Sequence, residues 1–245
     1  MRGQMYIIIF ICLFLQFFTA NAQAILPFAK NEYGLEIIND ENTYSQMVLL
    51  DSNEQMVSLR SIIPNIILDL RYATSNNFMH KKMYPSNPDE TYLRLQGAKA
   101  LAFVQHDLNE QGLGLKIFDA YRPYSVTKEF WKQVHDKRYV ANPAKGSGHN
   151  LGIAVDLTII DLKTGKELDM GTGFDNFTDS AHQNFISFPE NILHNRELLR
   201  TSMKKYGFLM FDTEWWHYAW PNDHNYTILD LSFEELKQLS KVDRQ

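Results

Sequence analysis

The chain has 245 residues, a formal charge of −5 and a single cysteine, Cys12. That length holds one domain with a sizeable core. The mild acidity, with no run of Lys or Arg, excludes the electrostatic footprint of a nucleic-acid binder, and one cysteine excludes a disulfide framework.

At the start, Arg2 is followed by a mostly apolar run from Tyr6 to Phe18 and then by Thr19, Ala20, Asn21 and Ala22. A positive start, a short apolar stretch and a small-x-small end read as a secretory signal covering residues 1–22. The run is shorter than the roughly 20 residues of a spanning helix, so no stable membrane insertion is expected after cleavage. Cys12 lies mid-run, without the small residues of a lipoprotein signal, and leaves with it. An exported, cysteine-free domain of this size is expected to be periplasmic or secreted.

Residues 23–55 are polar, with apolar patches at Leu35–Ile38 and Met47–Leu50. They read as an irregular N-terminal extension packed on a main domain over 56–245. Ile66–Tyr72 is β-rich and ends at the turn formers Ser75, Asn76 and Asn77. Leu93–Asn109 has apolar residues at helical spacing and stops at Gly112. Leu115–Tyr121 reads as a strand that Pro123 prevents from continuing as a central one. Ser125 can cap a helix running to about His135. Ile153–Asp161 is a β-branched strand turning at Lys163, Thr164 and Gly165. Asn191–Tyr206 reads as a helix closed by a left-handed Gly207. Phe208–Phe211 and Trp215–Ala219 read as strands, and Ser232 with Glu235 forms a capping box before a last helix. Without regular βαβ alternation, the expectation is a single α+β domain whose largely antiparallel central sheet is flanked by helices and carries the site.

Two motifs carry the chemistry: S-G-H-N-L-G-I-A-V-D over 147–156 and E-W-W-H over 214–217. His149, Asp156 and His217 supply three ligands suited to zinc, one ion per chain, and leave a position for a water whose pKa the metal lowers to roughly 7. Glu214 is placed to be the base. His149 and Asp156 would lie about 23 Å apart on a straight strand. On a helix they would be about 10.5 Å apart, but the β-branched residues argue against one. The remaining solution bends the chain around Gly148–Gly152, and small residues beside Asp156 make sense if metal and substrate need room. A lone histidine is more often core or surface than ligand, E-x-x-H arises by chance, and a tryptophan pair is usually core. The conjunction of both motifs in one exported domain is what points to a metal. Of the other histidines (His80, His106, His135, His182, His194 and His224) none has a partner at ligand spacing, and His182 alone merits watching. Arg122, at a strand end, can brace a buried carboxylate or stabilise an oxyanion, and the residues alone leave the two even.

These blocks resemble a known family. Residues 147–156 match the S-x-H-x-x-G-x-A-x-D signature of the zinc D,D-peptidase superfamily, and E-W-W-H has the form typical of its D-alanyl-D-alanine dipeptidases of the VanX type. D-L-R-Y-A-T at 69–74 with Asn77 and Phe78, G-L-G-L-K-I-F-D-A-Y-R-P at 112–123, and M-G-T-G-F-D at 170–175 are similar too. The resemblance runs from about Ile62 to Tyr218. It implies that His149, Asp156 and His217 bind zinc, that Glu214 is general base and acid, and that Arg122 stabilises the transition state. Tyr72 and Asp175 would hold the substrate's free ammonium, and Ser147 would make a polar substrate contact. The implied activity is hydrolysis of a small substrate, D-Ala-D-Ala, in cell-wall dipeptide turnover. His80 stands where the family commonly has glycine, and the loop Lys81–Glu90, with Tyr84, aligns poorly and bears on selectivity. The alternatives are a D,D-carboxypeptidase or endopeptidase acting on longer stem peptides, and a non-catalytic wall-binding module. Asp175, Tyr72 and E-W-W-H favour the dipeptidase. A binding module should have lost Glu214 or a ligand, and all four are kept.

Overall fold

The structure, a computed structural model, describes residues 30–134 and 139–242. The expected signal segment and His135 lie outside the described residues. In chain order the elements are β1 (Ile37–Ile38), α1 (Glu41–Leu50), β2 (Met56–Ser58), α2 (Leu59–Ile62), β3 (Ile67–Leu68), β4 (Tyr92–Arg94), α3 (Leu95–Asn109), β5 (Leu113–Asp119), α4 (Tyr124–Gln133), α5 (Gly148–Leu151), β6 (Ala154–Asp161), α6 (Glu190–Lys205), β7 (Leu209–Phe211), β8 (Glu214–Ala219), β9 (Ile228–Leu229) and α7 (Phe233–Val242). A five-stranded sheet runs β3-β5-β6-β8-β7, and only its β3–β5 pair is parallel. Two small pairs, β1 with β9 and β2 with β4, stand beside it. The fold is α+β with a largely antiparallel sheet, as the sequence pattern indicates. No helix among the described residues is long and apolar enough to cross a membrane.

Strand parity decides what each face of the sheet does. Val155, Leu157 and Ile159 of β6 join Leu101 and Val104 of α3 and Leu199 and Met203 of α6 in the main core. Asp156 has the opposite parity and faces a cavity. A second core holds Tyr72, Tyr84, Tyr121, Leu229 and Phe233 together with Ile38, Tyr44 and Met47 from the N-terminal segment. Residues 30–55 are therefore ordered rather than irregular. Asp40 caps α1 by accepting from the Thr43 amide, and the helix was hard to read because it buries only Tyr44 and Met47 while leaving Leu49 86% exposed.

Arg94 is fully buried and ties three segments together. Its Nε donates to the Leu151 carbonyl (2.8 Å), Nη2 donates to the Thr227 carbonyl (2.6 Å), and Nη1 pairs with the Glu54 carboxylate (2.7 Å). A buried charge persists only when so paired.

Several sequence expectations shift. Of Ile66–Tyr72 only Ile67 and Leu68 pair, and Arg71–Ala73 form a single 3₁₀ turn. The Asn77 amide donates to the carbonyls of Arg71, Thr74 and Lys81, holding the chain away from the ladder. Tyr92–Arg94 pairs with β2 before α3 begins. β5 is central after all, because it ends at Asp119 and leaves Pro123 to start α4. Ser125 is not the cap; its amide donates to the Asp230 carboxylate at 2.7 Å, an acceptor 105 residues away. The Ser232–Glu235 capping box forms as read, with the Glu235 amide donating to the Ser232 hydroxyl at 3.2 Å.

Candidate metal centre and active site

Pairing register brings the acidic and imidazole groups together. Asp156 of β6 lies opposite Asp119 of β5 on one side and His217 of β8 on the other. His149 reaches them from α5, a single turn. The Ser147 hydroxyl caps that turn by accepting from the His149 amide at 3.0 Å, and Gly152 closes it in the left-handed region at φ 71°. The bend expected at Gly148–Gly152 is present, but for a different steric reason. A Cβ on Gly152 would lie 2.5 Å from Met56 Sδ, and one on Gly148 would lie 2.9 Å from Ala154 Cβ. The small residues make room for the turn against its own scaffold, and Gly148 also lines the cavity.

The donor chemistry fits a cation. His149 Nδ1 sits 2.6 Å from the Ala120 carbonyl, which only accepts, so Nδ1 carries the proton and Nε2 the lone pair. That lone pair faces Asp156 Oδ2 at 3.4 Å, while His217 Nδ1 lies 2.8 Å from Oδ1. Two electron-pair donors facing each other without a proton call for a positive ion between them. His149, Asp156 and His217 offer ligand atoms within 4.8 Å of one another, the single such group among the described residues. Burial pushes His149 down to about 3, keeping it neutral. Burial opposes the Asp156 charge, but His149 and His217 outweigh it and hold the carboxyl below its usual range. The same contact with Asp156 raises His217 against the effect of burial.

Glu214 opens β8, its Oε2 lying 3.8 Å from His217 Nδ1. Burial pushes its pKa up to about 7, with Asp156 adding and His217 opposing. Arg122 does brace a buried carboxylate: Nη2 and Nε donate to Asp119 Oδ2 at 2.7 and 3.1 Å. It also faces the cavity, with its guanidinium over the rings of Tyr72 (5.0 Å) and Phe130 (5.1 Å). Burial raises Asp119 to about 6, and Tyr84 donates its hydroxyl to the other carboxylate oxygen. Also lining the cavity, Tyr72 donates to Asp175 Oδ1 at 2.9 Å. Asp175 Oδ2 is shielded from solvent and has no partner among the described residues. Burial, reinforced by Asp156, lifts the Asp175 pKa to about 8 even though the Tyr72 hydrogen bond lowers it. Its backbone is left-handed at φ 61°, strain of the kind held at ligand sites.

All eight residues singled out from the sequence (Tyr72, Arg122, Ser147, His149, Asp156, Asp175, Glu214 and His217) line one cavity of about 320 Å³. Sequence reasoning missed Asp119, whose one signal was its place three residues before Arg122. It also missed the cavity's aromatic lining, including Phe78, Phe130, Phe177 and Phe211. Tyr84 is buried behind Asp119 and does not line the cavity. The loop that follows Lys81 acts from behind instead, the amides of Met83 and Tyr84 donating to the Tyr72 carbonyl. His106 is exposed and His224 pairs with Asp51 at 2.8 Å. His182 does not line the cavity.

A two-histidine, one-aspartate donor set with a half-buried glutamate beside it has the make-up of a metallopeptidase centre. The sequence profile of the peptidase M15 family, described as D-ala-D-ala dipeptidase, matches residues 52–236, and the chain belongs to that metal-dependent family. The chain is 34% identical over 184 residues to the D-alanyl-D-alanine dipeptidase of Escherichia coli K12, covering 75% of this chain and 94% of that protein. It is 33% identical over 185 residues to the D-alanyl-D-alanine dipeptidase of Streptomyces coelicolor, covering 64% and 87%. Among solved structures, the LD-carboxypeptidase LdcB aligns over 89% of this chain and 95% of its own at 19% identity and a TM-score of 0.41, a distant likeness.

Proposed function

We propose that this protein is a zinc dipeptidase that hydrolyses D-Ala-D-Ala. The observation that carries the reading is one cavity lined by the three donors, by Glu214 and by Asp175, whose Oδ1 is held by Tyr72 while Oδ2 is left without a hydrogen bond. That arrangement suits a peptide whose free ammonium lies one residue from its scissile carbonyl. His149, Asp156 and His217 would hold the ion. When bound, zinc supplies Lewis-acid polarisation of the carbonyl and acidifies water.

Glu214, with a pKa raised to about 7, is tuned to take a proton from the attacking water and return it to the leaving amine. Arg122, held charged by Asp119, stabilises the negative charge that grows on the carbonyl oxygen. Asp175 accepts the ammonium through Oδ2 while Tyr72 fixes its other oxygen, and the Ser147 hydroxyl donates to a substrate carbonyl or carboxylate. Residues 1–22 act as a cleaved secretory signal, 23–55 as an N-terminal extension, and 56–245 as the catalytic domain. The enzyme then works in the periplasm or outside the cell on wall-derived dipeptides.

The test compares free D-Ala-D-Ala with its N-acetyl form and with a wall pentapeptide. A blocked amine forfeits the ion pair with Asp175, whose carboxyl then stays protonated; losing one partner of such a pair should cost on the order of 2–5 kcal/mol, or roughly 30- to several thousand-fold in kcat/KM. Equal cleavage of all three would replace the dipeptidase reading by the carboxypeptidase one. Glu214→Gln should keep its metal and lose on the order of 10²–10⁴ in kcat; a variant retaining a tenth of the activity would mean another base.

A further inference from the structure

The cavity has an aromatic wall that alanine side chains would leave bare. Five residues of the lining, Phe78, Phe130, Tyr139, Val140 and Phe177, are apolar or aromatic and lie away from the metal ligands in sequence. Ring contacts link the four aromatic residues to one another and to Tyr72 beside Asp175, and Val140 follows Tyr139 in the lining. Phe130 and Phe78 pack edge-on against Tyr72, with centroids 4.9 and 6.4 Å away, and Tyr72 is the residue bonded to Asp175. Phe177 follows Asp175 by two positions, packs edge-on to Phe78 at 5.1 Å and stacks on Tyr139 at 4.4 Å. Phe78 and Phe177 are only partly buried, so part of each ring is available to a ligand.

In a dipeptide the carbon that carries the ammonium also carries the first side chain. An ammonium on Asp175 therefore directs that side chain among the groups bordering Asp175. A volume of about 320 Å³ lies at the low end of the range that holds drug-sized ligands, well above the needs of a molecule of about eleven heavy atoms. Apolar wall left unfilled forfeits dispersion contacts and stays hydrated.

Resting on the dipeptidase reading, we propose that Phe78, Phe130, Tyr139, Val140 and Phe177 form an apolar subsite for the first residue, so that the enzyme takes dipeptides with a bulky apolar or aromatic first side chain as well as alanine.

The experiment measures kcat/KM of the zinc-loaded protein for D-Ala-D-Ala, D-Leu-D-Ala and D-Phe-D-Ala. The dissociation constants of the same dipeptides for Glu214→Gln, by calorimetry, give a readout that needs no turnover. The bulky substrates should be cleaved and bound within about tenfold of D-Ala-D-Ala or better, and Phe177→Ala should lower the D-Phe-D-Ala to D-Ala-D-Ala ratio roughly tenfold. Val140→Phe, which fills the subsite instead of emptying it, should lower the same ratio and guards against misfolding of the alanine variant. D-Ala-D-Ala cleaved well with both bulky dipeptides below a hundredth of its rate overturns the subsite and leaves the dipeptidase reading standing. Equal losses on every dipeptide in Phe177→Ala would assign the rings to the ammonium alone and also overturn it. Cleavage and binding of none would remove the dipeptidase reading and the subsite with it.

Discussion

Asp119→Asn tests how the arginine is held. Asp119 receives two charge-assisted bonds from Arg122 at 2.7 and 3.1 Å, and the two side chains are 1% and 11% exposed. Removing one partner of such a buried pair costs 3–5 kcal/mol, because the other charge is left uncompensated. Two features reduce that figure here. Asparagine keeps an oxygen that accepts from Arg122 or Tyr84, and Arg122 borders the cavity, where water can reach it. About 2–3 kcal/mol remains. Urea unfolding at pH 7 should therefore show a lower midpoint at unchanged slope. Kinetically, a guanidinium no longer held against Asp119 leaves the developing oxyanion, so kcat should fall on the order of 10²–10³-fold with a smaller change in KM. A midpoint within about 0.5 kcal/mol of wild type together with unchanged kcat would refute the reasoning. It would show that the rings of Tyr72 and Phe130 suffice to hold Arg122.

The pH dependence of binding follows from Asp175. Its pKa is raised to about 8, so in the free protein it is protonated below that value, and ammonium binding must expel the proton. Dipeptide affinity of Glu214→Gln should therefore tighten as pH rises toward 8 and weaken above it as the substrate amine, with a pKa of roughly 8, loses its own proton. A flat acid limb would count against Asp175 as the anchor, and Asp175→Asn should flatten it. His149→Ala and His217→Ala should each lose most of the metal by elemental analysis, and full occupancy in both would sink the ligand assignment. Gly152→Ala forces a left-handed alanine toward Met56 Sδ, and should cost about 2 kcal/mol or more and weaken metal retention; a wild-type unfolding midpoint would contradict the steric account.

What the sequence determined by itself was local. The turn at Gly148–Gly152, the left-handed Gly207, the Ser232–Glu235 box and the β-branched run of β6 are set by residues within a few positions of one another. The candidate metal ligands were legible because the two motifs each carry an unusual local combination, and the other candidate site residues because the family blocks keep their order. What tertiary structure decided depends on contacts between residues far apart in the chain. A period-2 pattern says which face a residue takes, but not which strand lies alongside or in what register. The row Asp119, Asp156 and His217 across β5, β6 and β8 was therefore invisible, and with it the role of Asp119. Likewise, only the fold could bring Tyr72 to Asp175 across 103 residues, set Asp230 at the start of α4, place the Ala120 carbonyl where it fixes the His149 tautomer, and gather five aromatic and apolar residues into one wall. Each of these is a pairing that chain closure makes possible and close packing makes specific, and neither leaves a mark on the neighbouring sequence.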